Sequence, residues 1–89
     1  MLYPYMTLAD ETEILHTQVK PGDVVEVQFE RPNENGFDSA RCALPTYEWI
    51  RREGFTDKEI EFFNEFLHSN AHLIYLYAQT GGADIAKSV

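Results

Sequence analysis

The sequence predicts an α+β fold: a four-stranded antiparallel β-meander followed by a short and a long α-helix packed on one sheet face. Three observations carry this. Val25, Val27 and Phe29 alternate with Glu26, Gln28 and Glu30, a period-two pattern with one dry and one wet face. Strand-like segments fill the first half of the chain and helix-like segments the second, an order that segregates the two kinds of element. A capping box, Thr56-Asp57-Lys58-Glu59, opens a long run of helical periodicity.

The elements follow in chain order. Residues 3–8 are aromatic and β-favouring, with Pro4 restricting them to an edge or a strand start. After the polar break Ala9-Asp10-Glu11-Thr12, residues 13–19 form a second strand, with Leu15, Thr17 and Val19 on one face and Ile14, His16 and Gln18 on the other. Pro21-Gly22-Asp23 is a turn, because proline presets φ and glycine accepts a positive φ. The third strand is 24–31. Pro32 to Gly36 turns the chain through a loop expected to exceed two residues, and 39–44 returns with Ala40, Cys42 and Leu44 facing in. Pro45 and Thr46 read as the start of a short helix over 47–53, which Gly54 ends, with Tyr47 and Trp49 as packing residues. The long helix runs from 57 to 79, with Phe55 and Ile60 as a hydrophobic staple across its cap. It ends at Thr80-Gly81-Gly82 and spans about 34 Å.

A chain of 89 residues, 44% hydrophobic, supplies one core and no second domain. The expected organisation is a single domain over 1–89: a sheet half (1–44), a helical half (45–80) and a flexible tail (81–89).

The net charge of −8 argues against direct nucleic-acid binding, which needs Lys and Arg to neutralise phosphates, and against adhesion to anionic membranes. Four of the seven bases, Arg31, Arg41, Arg51 and Arg52, fall within 31–52. The N-terminal residues lack the basic and apolar regions of a signal peptide, and no apolar run approaches the roughly 20 residues that span a bilayer. With Cys42 as the lone cysteine, the expected setting is the cytoplasm and no intrachain disulfide forms.

The long helix carries the candidate sites. Ile60, Phe62, Phe63, Phe66, Leu67, Leu73, Ile74, Tyr77 and Ala78 share a broad arc that should cover the sheet. Glu61, Asn64, Glu65, His68, Ser69 and His72 share the opposite arc. His68 and His72 stand one turn apart with Glu65 beside them, a donor set suited to a divalent metal such as zinc; the same residues also suit a solvated face. From 71 to 78 the helix is apolar nearly all round, so that Leu73, Tyr75, Leu76 and Tyr77 form a candidate interface with a protein partner or a second copy. No Gly-rich phosphate loop, nucleophile elbow or paired-histidine protease motif occurs. The expectation is therefore a non-enzymatic interaction or accessory protein without a cofactor. The alternatives are a metal-binding protein or metal-dependent enzyme using His68, His72 and Glu65, and an acidic mimic of nucleic acid.

Overall fold

The computed structural model describes residues 1–80. The expected tail over 81–89 lies outside the described residues. The fold is α+β, with a five-stranded antiparallel sheet in the order β1-β2-β3-β4-β5 and one helix among the described residues. The strands are β1 (Tyr3–Thr7), β2 (Glu13–His16), β3 (Val25–Asn33), β4 (Gly36–Leu44) and β5 (Glu48–Glu53); the helix is α1 (Asp57–Thr80).

Two expectations change. The short helix does not form: 48–53 makes the fifth strand instead, pairing with β4 so that Trp49 stands opposite Cys42 and Arg51 opposite Arg41. Pro45 and Thr46 serve the β4–β5 turn, in which Tyr47 adopts a positive φ of 61°. Trp49 drops onto Phe29 and donates from Nε1 to Asn64 Oδ1 at 3.0 Å, contacts that a half-buried strand supplies. The β3–β4 turn is also tighter than expected. Asn33 pairs with Gly36, leaving Glu34 and Asn35 as a two-residue loop, with the Asn35 N–H bonded to Asn33 Oδ1 at 2.8 Å.

The core lies between the sheet and α1. Ile14, Val25, Val27, Phe29, Ala40, Cys42 and Leu44 point toward the helix and are fully buried. From α1, Ile60, Phe63, Leu67, Ile74 and Ala78 meet them, and Phe29 stacks on Phe63 with ring centroids 4.2 Å apart. His16 is buried on the same face, its Nδ1 bonded to the Thr17 carbonyl at 2.8 Å. The imidazole therefore carries its proton on Nδ1. Among the described residues no helix lies on the far face of the sheet. There Arg41 bonds Glu26 and Gln28 on the neighbouring strand, and Lys20 reaches Glu26 at 3.2 Å.

The capping box forms as expected: the Glu59 N–H donates to Thr56 Oγ1 at 3.2 Å, and the Thr56 N–H to Glu59 Oε1 at 2.9 Å. Gly54, with φ +89°, supplies the corner before it. A β-carbon there would stand 2.1 Å from Asp38 Oδ1, so only glycine fits. No helix among the described residues is long and apolar enough to cross a membrane.

Candidate functional site

The start of α1 is held by one arginine. Arg31, at the end of β3 and half-buried, donates from Nε and Nη2 to Asp38 Oδ2 at 3.0 and 2.8 Å. It also bonds Glu59 on α1, and its Nη1 lies 3.6 Å from Asp10 Oδ2 in the β1–β2 turn. Its guanidinium sits 4.7 Å from the centroid of Phe55. Four chain segments thus meet on one side chain. Arg31 and then the capping Thr56 hold the Glu59 carboxyl below its usual range. Arg31 and Asn33 do the same for Asp38. Hydrogen bonding from Thr12, ahead of the charge of Arg31, does so for Asp10.

This clamp sets the β1–β2 turn beside the first turns of α1 and leaves a groove between them. The groove has a volume of about 530 Å³ and is lined by Leu8, Ala9, Asp10, Lys58, Glu59, Phe62 and Phe63. Its floor is apolar and its charged groups lie at the rim. Phe62 is 52% exposed at its edge, although its place on the apolar arc predicts burial. The sheet lies beneath the middle of that arc and does not extend under Phe62.

The four residues expected as an interface have different surroundings. Leu76 is 49% exposed. Tyr75 is half-buried, and its hydroxyl donates to the Asp23 carbonyl at 2.6 Å; burial, ahead of the Asp23 and Tyr47 charges, raises its pKa. Leu73 is half-buried, and Tyr77 is half-buried against the ring of Tyr5. The turn before β3 and the first strand thus cover the two tyrosines, while Leu76 keeps half its surface in solvent.

Among the described residues no group of three His, Cys, Asp or Glu is placed to hold a metal ion, so Glu65, His68 and His72 do not form one. The imidazole of His68 lies flat on Tyr47, with centroids 3.9 Å apart and planes 12° from parallel. The β4–β5 turn, which forms where a helix is expected, brings Tyr47 to α1. Asn64 is likewise held by Trp49. One flank of the polar arc therefore packs on the chain itself.

Phe62, expected under the sheet, and Leu8 do not stand out in the sequence as binding residues, and the groove depends on the fold. A signal was present: Phe62, Phe66, Ser69, Leu73 and Leu76 follow one another at separations of four, three, four and three. No family model, no curated protein and no solved structure matches this chain.

Proposed function

We propose that this chain is a non-enzymatic protein-interaction module that presents the outward edge of α1 to a partner, in the cytoplasm. The observation that carries the proposal is the pair Phe62 and Leu76, each about half exposed on one helix, with an apolar groove beside Phe62. Fully burying an exposed side chain of this size is worth about 1.5–3 kcal/mol, and each of these two has about half of that left to gain. Asp10 and Glu59 at the rim are already engaged by Arg31, which leaves the apolar floor of the groove as the surface a partner would meet.

The test is a photoreactive side chain at position 76 of the full chain, irradiated in the native cell, with the same group at Glu13 as a control. The expected result is an adduct of one defined mass at position 76 that Phe62→Glu abolishes and position 13 does not give. Equal yields at both positions, or no adduct at 76, would overturn the proposal.

A further inference from the structure

We infer that the occupant of this face is a second copy of the same chain, with the two α1 helices running antiparallel and crossing at Ser69, so that Leu76 of each copy enters the groove beside Phe62 of the other. This rests on the interaction reading above and names its partner.

The spacing of the exposed residues along α1 suits a second helix. The four-three-four-three run from Phe62 to Leu76 is the seam by which one helix packs along another. Of these, Phe62, Ser69 and Leu76 are exposed, whereas Phe66 and Leu73 are half-buried, Phe66 against the ring of Tyr5 on β1. A second helix can therefore reach the outer edge of this run beside β1.

The face is also close to symmetric about its centre. Phe62 and Leu76 stand seven residues either side of Ser69, and Phe66 and Leu73 stand three and four residues from it. A two-fold axis at Ser69 sets Phe62 against Leu76 and Phe66 against Leu73, twice over, as a self-complementary interface requires. Ser69 is small and exposed, which lets the helices approach at the axis. Phe62 and Leu76 are about 21 Å apart along the helix, so the two groove contacts are separate and equivalent. A parallel pair would set Phe62 on Phe62 and leave both grooves without Leu76.

Charge selects the antiparallel orientation. Antiparallel pairing places exposed Glu65 beside exposed His72 of the other copy, a carboxylate against a hydrogen-bonding ring and not against a second carboxylate, again twice. It also brings Lys58 to the last turn of the other helix, which has no basic residue of its own to answer the negative end of its dipole. Parallel pairing would place Glu61 and Glu65 against themselves. The interface is a narrow strip between two chains that each carry −8, so association is weak and tightens as salt screens the repulsion.

The experiment uses the full chain. Sedimentation across concentration should show a monomer–dimer equilibrium that shifts toward dimer with added salt. Leu76→Glu should weaken it at least about tenfold with an unchanged circular dichroism spectrum. A second measurement does not depend on that variant folding: Phe62→Cys and Leu76→Cys chains are mixed with a short bismaleimide. Mixed 62–76 crosslinks should exceed 62–62 and 76–76 crosslinks. A predominance of 62–62 crosslinks, or a strict monomer at every concentration and salt, overturns the dimer. If that monomer still yields a position-76 adduct with a different protein in the cell, the dimer falls and the interaction reading stands. If it yields none, both fall.

Discussion

Arg31 shows how much of a small fold can depend on one side chain. It joins the β1–β2 turn, β3, β4 and the first turn of α1 through Asp10, Asp38 and Glu59. These carboxyls are held low in the folded chain, as is Glu26, where Lys20 and Arg41 outweigh the opposing effect of burial. A carboxyl with a depressed folded pKa stabilises the fold above its unfolded value and loses that contribution as the pH falls through the folded one. The unfolded values are near 3.8 for Asp and 4.5 for Glu, so the loss sets in below about pH 4.5. Thermal unfolding followed by circular dichroism should show Tm falling from about pH 6 to about pH 3. Arg31→Met should lower Tm near neutrality by about 5 °C, and its further fall on acidification should be smaller than that of the parent. An equal fall in both would mean that the acid sensitivity lies elsewhere. At this scale the sequence was partly legible. The capping pair Thr56 and Glu59 sits three residues apart and can be read by eye, whereas Arg31 and Glu59 meet across 28 positions with no pattern to announce it.

Elements were legible where the period was long enough to count. The β3 alternation and the 24-residue helix each repeat several times, and both form close to their expected limits. The segment 47–53 is too short to separate the two periods, and its Pro-Thr start serves a hairpin turn as well as a helix. Its Tyr, Trp and Ile content favours a strand, and Trp49 settles the matter by packing inward on Phe29. The same indole ties β5 to α1 through Asn64. Trp49→Phe keeps most of the ring contact and removes this bond, and should cost about 0.5–1.5 kcal/mol in urea denaturation. Adding Asn64→Leu should recover part of that cost, because the amide left half-buried without its donor is removed as well. A double variant no better than the single one would show that the hydrogen bond contributes nothing to the tie.

On the scale of the whole molecule, the sheet has one dry face and one wet face, and α1 supplies the cover for the dry one. The antiparallel order and the burial of Cys42 were readable from alternation. The exposure of Phe62 was not, because it depends on where the sheet ends beneath the helix. Cys42 lies at the centre of the covered face, and burial pushes its thiol up to about 12. In the native protein an excess of thiol reagent should label it only as fast as the chain opens, with the rate rising with urea alongside global unfolding. Rapid labelling without denaturant would mean that α1 lifts from the sheet independently.

The five strands are joined by neighbour-to-neighbour hairpins, and α1 follows all of them in the chain. During translation each hairpin can close soon after it leaves the ribosome, but Val25, Val27 and Phe29 stay wet until the helix has been synthesised. A nascent chain stopped before Asp57 would carry an uncovered oily sheet, which makes α1 the element that renders the earlier strands safe from clumping.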